Sequence, residues 1–319
     1  MTLISVAMCT YNGEKYLQEQ LDSIASQGLP PDELVICDDG STDATAEIVN
    51  AFAATAEFPV RFIQNDQNLG STKNFEKAIG LCNGELIALS DQDDVWNPQK
   101  LARLSTLLVA DPTAGGAFSD AELIDQNSRL TGTRLWAKVN FSPEKSYGDI
   151  EGELTKTLLT HDVVTGATLM FRANLRSTFV PIEPAWVHDG WIAWMIVLYS
   201  RLVPVREPLV RYRLHNFQQV GVGPTSLWGR FSRARQKGLK QYLLVARQFE
   251  SLRARWMSHP GDDHQARLGN LDGKIAHAYW QAHLPHNRLA RAFRILCAWQ
   301  AYQRYARGWM SMAKDLLLR

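Results

Sequence analysis

The feature that most constrains this 319-residue chain is a regular exchange between two hydrophobic periods over its first 110 residues. Short apolar runs at Leu3–Met8, Leu34–Cys37, Val60–Ile63 and Glu85–Leu89 read as strands. Between them, Tyr16–Ser26 repeats Leu17, Leu21 and Ile24 at helical spacing, Ser41–Phe52 carries Ile48, Val49 and Phe52, and Ser71–Leu81 is a third helix. Strands joined by helix-length crossovers predict a parallel sheet with right-handed connections. Ligands on such sheets bind beyond the carboxyl ends of the strands, so chemistry is expected just after each apolar run.

Beyond Asp94 the pattern loosens. Lys100–Val109 reads as a helix, Ala117–Ser119 as a short strand and Gln126–Gly148 as turn-rich. Val163–Phe171 is expected as a strand, Trp191–Tyr199 as a buried helix, and Leu202–Arg213 as strand pieces interrupted by Pro204 and Pro208. From Leu227 onward the chain is helical. Tyr242, Val245, Phe249, Leu252 and Trp256 form one predicted inward face, and Ala292, Leu296, Trp299, Tyr302, Ala306 and Trp309 another.

Charge divides at the same place. The net charge is +1, yet residues 1–224 hold 17 Lys+Arg against 28 Asp+Glu, a net of −11, and residues 225–319 hold 17 against 5, a net of +12. Two regions are therefore expected, an acidic α/β domain at 1–224 and a basic helical region at 225–319. Cys9, Cys37, Cys82 and Cys297 are too scattered for a disulfide framework and form no C-x-x-C pair. With no basic leader before Leu3 and no apolar run near the ~20 residues that span a bilayer, a cytoplasmic protein is expected.

The strand tips carry the candidate residues. Thr10-Tyr11-Asn12 follows the first strand and Asp38-Asp39-Gly40-Ser41-Thr42-Asp43 the second. An aspartate there accepts from a base N–H or a ribose hydroxyl, and a tyrosine face stacks on a base; Asp39 is read as the ligand and Asp43 as a helix cap. After the third strand, Asn68-Leu69-Gly70, with Lys73 and Asn74 a turn later, lets backbone N–H groups approach a phosphate. The sharpest feature is Ser90-Asp91-Gln92-Asp93-Asp94. Three carboxylates in four residues repel unless a cation compensates, and hard oxygen ligands suit Mg2+ or Mn2+.

Taken in order, these motifs resemble the family 2 glycosyltransferases of the GT-A fold over about residues 3–220, and Ser90–Trp96 most resembles the rhamnosyltransferase-like branch. The resemblance implies a Rossmann-like mixed sheet that binds a nucleotide-diphosphate sugar. It places Asp39 on the nucleotide base and the metal-binding DxD signature on Asp91-Gln92-Asp93, with Asp93 the main ligand and Asp94 beside it. The donor-side set is then Thr10, Tyr11, Asn12, Glu14, Asp38, Asp39, Asn68, Gly70, Asn74, Asp91 and Gln92. The family's catalytic carboxylate falls on Asp189, in His188-Asp189-Gly190-Trp191. Its closing segment falls on Tyr212–His215 and Gln218–Gly221, with Arg213 or His215 near the diphosphate, and Gly166-Ala167-Thr168 forms the acceptor-side floor.

The expected activity is inverting, metal-dependent transfer of a sugar, rhamnose among the candidates, from a dTDP- or UDP-linked donor to a hydroxyl of a surface glycan or lipid-linked acceptor. A catalytically silent sugar-nucleotide-binding scaffold is the rival, and a nucleotidyltransferase a third, disfavoured for want of a Gly-rich basic loop after the first strand. The tail, with Arg288, Arg291, Arg294, Arg304 and Arg307 beside aromatic residues, suits the inner face of an anionic membrane, a homodimer contact or packing on the acidic domain. No nucleic-acid-binding motif is present, and nucleic acid is not expected as a partner.

Overall fold

A computed structural model of the chain describes residues 2–143, 152–215, 238–258 and 264–317. They divide into two compact units, 2–143 with 164–215, and 152–163 with 238–258 and 264–317. The helix Gly152–Thr160 thus falls in the second unit, whereas a single division at 224 leaves it in the first.

In the first unit, β1 (Ile4–Thr10), β2 (Glu33–Asp38), β3 (Val60–Gln64) and β4 (Leu86–Ser90) lie parallel in the order β3-β2-β1-β4. They alternate with α1 (Leu17–Ala25), α2 (Thr45–Ala53) and α3 (Ser71–Leu81). Every residue of β1, β2 and β4 is buried. Cover on both faces is why these strands read as continuous apolar runs rather than alternating ones. Leu17, Leu21 and Ile24 of α1 enter the same core as Ile4, Val6 and Met8 of β1. The chain steps outward from β1 to β2 and β3, then returns to place β4 on β1's other side. The point where strand order reverses therefore lies between β1 and β4.

The sheet continues as β4-β8-β6-β9-β5, with β5 (Val95–Trp96), β6 (Ala114–Ile124), β8 (Leu169–Arg172) and β9 (Arg201–Arg213), and with β7 (Leu130–Arg134) paired to β6. Here β8 runs antiparallel to β4 and β6, while β6 and β9 are parallel. The helices of this half are α4 (Lys100–Ala110), α5 (Leu135–Val139), α7 (Arg176–Phe179) and α8 (His188–Tyr199), α6 being the helix Gly152–Thr160 of the second unit.

Three expected elements differ in the structure. The predicted three-residue strand at Ala117–Ser119 is an eleven-residue one, and the predicted fragments over 202–213 are one strand. Pro208 faces Asp120, where the pairing register slips, so its missing N–H falls at an irregularity the ladder tolerates, whereas Pro204 faces Phe118 within the regular ladder. The segment expected as a strand over 163–171 begins instead with a 3-10 turn at Gly166–Thr168 before β8.

In the second unit, α9 (Gly238–Ser258) and α10 (His264–Ala282) precede three short helices, α11 (Arg288–Cys297), α12 (Trp299–Tyr305) and α13 (Trp309–Leu317). The predicted face of α9 is buried at Tyr242, Phe249, Leu252 and Trp256, with Ala246 rather than Val245 completing it. The second predicted stripe is buried only at Tyr302. Leu296, Trp299 and Trp309 are exposed, and the small core there is Leu284, Ile295, Tyr302 and Met312. One stripe could not survive because 292–309 is two helices and part of a third, not a single continuous one. Lys274 is half-buried and donates to the carbonyls of Leu159 (2.5 Å) and Tyr305 (2.6 Å), stapling α6, α10 and α12 together.

Candidate functional site

The tips of β1, β2 and β4 are knitted into one edge. Thr10 Oγ1 donates to Asp38 Oδ1 (2.7 Å), and Asp38 also accepts from Ser41 Oγ (2.5 Å) and Ser41 N (2.9 Å). Asn12, left-handed at φ 48°, donates through its N–H to Ser41 Oγ and accepts from Thr42 N (2.9 Å). Across the switch point, the Gln92 amide clasps the Tyr11 backbone, accepting from its N–H (2.8 Å) and donating to its carbonyl (3.1 Å). Gly13 makes room for that clasp, since a Cβ there would lie 2.4 Å from Gln92 Oε1. Tyr11 remains exposed on this edge.

Asp43 behaves as a cap, accepting from Thr45 N (3.1 Å), Thr45 Oγ1 (2.5 Å) and Glu14 N (3.0 Å), with Glu14 Oε2 answering on Ala44 N (3.1 Å). Asp39 holds the next loop. Its carboxylate accepts from Leu69 N (2.7 Å), Gly70 N (2.8 Å) and Asn65 Nδ2 (3.0 Å), while Asn68 Nδ2 donates to its backbone carbonyl (3.1 Å). Gly70 adopts φ 78°, a conformation that favours glycine, at the start of α3. Asn74, expected among the donor ligands, is instead 1% exposed and spends its amide on Cys37 O (2.8 Å) and Asn65 (2.9 Å). It ties α3 to the tip of β2.

The acidic turn after β4 splits its three carboxylates. Asp93 points to the edge, where its Oδ2 lies 2.7 Å from His215 Nε2. Asp91 is pushed up to about 7, first by burial and then by the charges of Asp93 and Asp189. Asp94, expected beside Asp93 on the metal, is turned inward. It is 1% exposed, accepts from Arg213 N (2.9 Å), and is raised well above the ordinary carboxylate range by burial and by its two acidic neighbours. The pairing of Val95 with Arg211 on β9 draws the turn in at this point and removes Asp94 from the metal-ligand set. Arg213, expected at the diphosphate, is buried too: it donates to Glu19 (2.6 Å), Ser128 Oγ (2.8 Å) and Asp93 O (2.6 Å), beneath the turn rather than on it. Residues 218–221 lie outside the described residues.

Asp189 opens α8. Its carboxylate accepts from Gly190 N (2.7 Å) and Gly166 N (3.3 Å), so the 166–168 turn holds it, and burial raises its pKa. Its neighbour His188 stacks on Phe75 with ring centroids 3.9 Å apart, and burial lowers it to about 3, so it is neutral at physiological pH. Sequence reasoning missed Lys100. Fully buried beneath the acidic turn, it donates to Ala167 O (2.6 Å) and Leu89 O (3.4 Å) and lies 3.3 Å from the Trp96 ring centroid. Burial lowers its pKa, while the Asp94 and Asp91 carboxylates oppose the shift. The only available signal was a lysine at an inward position of a helix that starts right after Asp-Asp-Val-Trp.

The edge therefore gathers one carboxylate–imidazole pair, Asp93 and His215, and a backbone-held carboxylate, Asp189, whose charge reaches Asp91. Among the described residues no group of three or more His, Cys, Asp or Glu side chains stands ready to hold a metal ion. An oxygen and a nitrogen donor side by side nonetheless fit a cation that completes its shell with water and phosphate oxygens, as Mg2+ and Mn2+ do.

The profile of glycosyl transferase family 2 matches residues 5–179, more than half of the chain, and spans this edge from β1 through the acidic turn. The chain belongs to glycosyl transferase family 2. It is 30% identical over 218 residues to an uncharacterized glycosyltransferase of Methanocaldococcus jannaschii, covering 67% of this chain and 71% of that one. It is 26% identical over 217 residues to an uncharacterized glycosyltransferase of Nostoc sp., covering 66% of this chain and 65% of the relative, just under two thirds of its length. The abequosyltransferase of Salmonella typhimurium is 36% identical over 108 residues, 33% of this chain and 32% of its own. Among solved structures, Staphylococcus aureus TarS in complex with UDP-GlcNAc superposes with a TM-score of 0.61 at 17% identity, covering 98% of this chain and 88% of that one. A mannosyltransferase from Pyrobaculum calidifontis in complex with GDP-Man and Mn2+ superposes at 0.56 with 18% identity, covering 99% and 85%. These likenesses are of fold: a GT-A mixed sheet with helices, followed by C-terminal helices.

Proposed function

We propose that this family 2 member is an inverting glycosyltransferase that moves a sugar from a nucleotide-diphosphate donor to an acceptor hydroxyl. The observation that carries the reading is the knitting of three strand tips into one edge, through Thr10–Asp38 and Tyr11–Gln92, with Asp93, His215 and Asp189 beside it. The donor's nucleotide is taken to lie along 10–12 and 38–41, its base against Tyr11, with the 68–70 loop held in place by Asp39. The nucleotide sugars bound by the structurally similar TarS and mannosyltransferase support this class of donor. The rhamnosyl donor and the dTDP or UDP carrier follow from the wording of 90–96 and belong to this proposal.

Asp93 and His215 would hold a divalent cation, Mg2+ or Mn2+. Such an ion, when bound, neutralises the negative charge that builds on the departing diphosphate. Asp189 takes the proton of the acceptor hydroxyl while its oxygen bonds to the anomeric carbon from the face opposite the diphosphate. The bond from that carbon to the diphosphate oxygen breaks, and the configuration inverts. The Gly166 and Gly190 N–H groups orient Asp189, and its burial makes it a stronger base than an exposed aspartate. The acceptor is taken to be a surface glycan or lipid-linked glycan met at the inner face of the membrane.

A thermal-shift screen of dTDP-, UDP- and GDP-sugars with Mn2+ tests the donor, because only a ligand that binds the native state raises its stability by mass action. Asp93→Ala is expected to abolish the cation-dependent shift. Asp189→Asn is expected to keep the donor shift and lose transfer by about 10²–10⁴-fold, the usual scale for a general base. A full rate in Asp189→Asn would remove the assigned base, and no shift with any sugar nucleotide would remove the donor class.

A further inference from the structure

The short helix α11 turns its broad apolar face outward, whereas a helix that docks on a fold normally buries that face. Arg291 and Ile295 are buried, and Ile295 enters a small core with Leu284, Tyr302 and Met312. Leu289, Phe293 and Leu296 are 83%, 70% and 67% exposed. At about 100° per residue these three fall within an arc of roughly 60° on the side away from Arg291 and Ile295, with Arg288 and Arg294 to either side. The next two helices add the exposed indoles of Trp299 and Trp309.

The charge around this stripe has one sign. Between residues 283 and 317, Arg288, Arg294, Arg304 and Arg307 are exposed and Lys314 is half-buried. The one acidic residue of that span, Asp315, is 1% exposed and accepts from Tyr242, Tyr302 (2.6 Å) and Gln281 (2.8 Å). The carboxylate is consumed inside the unit, and only cations are left outside.

We propose that this face of the second unit docks on an anionic phospholipid surface. Leu289, Phe293 and Leu296 enter the boundary between headgroups and acyl chains, and the flanking arginines meet lipid phosphates. An amphipathic helix with an outward apolar stripe, basic flanks and nearby indoles has the chemistry of an interfacial anchor. Attraction of its arginines to an anionic leaflet adds to the burial of the stripe. A second copy of this chain suits the face less well. A two-fold contact sets the same patch against itself, so arginine would oppose arginine with no exposed carboxylate of the span to pair it. The proposal gives a surface to the membrane association put forward above, and its test reads vesicle binding without turnover, so either can fail alone.

The full chain is sedimented with vesicles of phosphatidylglycerol and phosphatidylcholine, and with phosphatidylcholine alone. Binding to the anionic vesicles only, weakening between 50 and 500 mM salt by about tenfold or more, is expected from several lysine or arginine contacts to lipid. The variant Leu289→Ser/Phe293→Ser/Leu296→Ser is expected to lose at least tenfold in vesicle affinity, as is Arg288→Glu/Arg294→Glu. Both should keep the wild-type circular dichroism spectrum and melting temperature, because the altered side chains are exposed. Failure of the wild-type chain to sediment with anionic vesicles overturns the proposal, as does undiminished sedimentation of the triple variant. A wild-type dimer in analytical ultracentrifugation that the triple variant dissolves, without vesicle binding, would assign the stripe to a second copy.

Discussion

Each unit has a lysine that donates to backbone carbonyls, and the two are used differently. Lys274 donates to the carbonyls of Leu159 and Tyr305 and joins three helices, with burial lowering it to about 8. Lys100 also donates to carbonyls, at Ala167 and Leu89, but it lies beneath a turn bearing three carboxylates, and Asp94 Oδ2 there has no hydrogen-bond partner among the described residues. In the first unit like charges are crowded at the sheet edge and only partly compensated, an arrangement that costs stability and is typical of sites that bind or react. In the second, the buried acid Asp315 is saturated by two hydroxyls and an amide, and the uncompensated charge is outside. One unit stores its electrostatic imbalance where a ligand can relieve it. The other presents it to a surface.

The largest stability effect that tests this contrast is expected at Asp315. Asp315→Ala leaves the Tyr242 and Tyr302 hydroxyls and the Gln281 amide without their shared acceptor, and should cost about 3–5 kcal/mol in urea unfolding of the full chain. A cost below 1 kcal/mol would mean the network is not closed as described.

Acid should weaken the second unit through His277, which burial lowers to about 4 from an ordinary 6.5. Its folded pKa is depressed, so the unfolded chain binds the proton first. The stabilisation is present above pH 6.5 and is lost as pH falls toward 4, by up to about 3 kcal/mol at ~1.4 kcal/mol per unit. His277→Gln should flatten that part of the pH–stability curve; an unchanged slope would assign the acid sensitivity to another group.

At the sheet edge, Asp39→Ala removes the acceptor for Leu69 N, Gly70 N and Asn65 Nδ2 and is expected to cost about 1–3 kcal/mol, water reaching part of the loop. Its larger consequence should be in the site: donor affinity measured by calorimetry should fall with the 68–70 loop released, whereas Asp315→Ala should leave donor affinity unchanged wherever the chain remains folded. The smallest effect is expected on the outer stripe. Leu289→Ser should change stability by no more than about 0.5 kcal/mol, against about 2–5 for Leu252→Ala in the buried face of α9.

Much of the first unit was legible because its signals are local. Buried strands of five to seven residues and helices with apolar spacing of three and four announce themselves in any window, and α3 begins and ends where the spacing predicts. Asp43 was readable as a cap because capping involves residues two or three positions away. The same locality explains the errors. Asp93 and Asp94 are adjacent and chemically identical, and nothing near them in sequence says that one faces the edge and the other the interior. That is set by β5 pairing with β9, more than a hundred residues on. Arg213 is held by Glu19 and Ser128, 194 and 85 residues away in the chain.

By itself, then, the order of residues determined an α/β sheet with its candidate residues at the strand tips, an acidic first part and a basic, helical end, because hydrophobic period and charge are sums over neighbours. Only the tertiary structure decided which carboxylates meet, which lysine lies beneath them, and which side of Arg288–Cys297 is left facing solvent. Those outcomes depend on pairings between segments far apart in the chain, where a turn of about 100° in one helix or a one-residue step in a strand exchanges inside for outside.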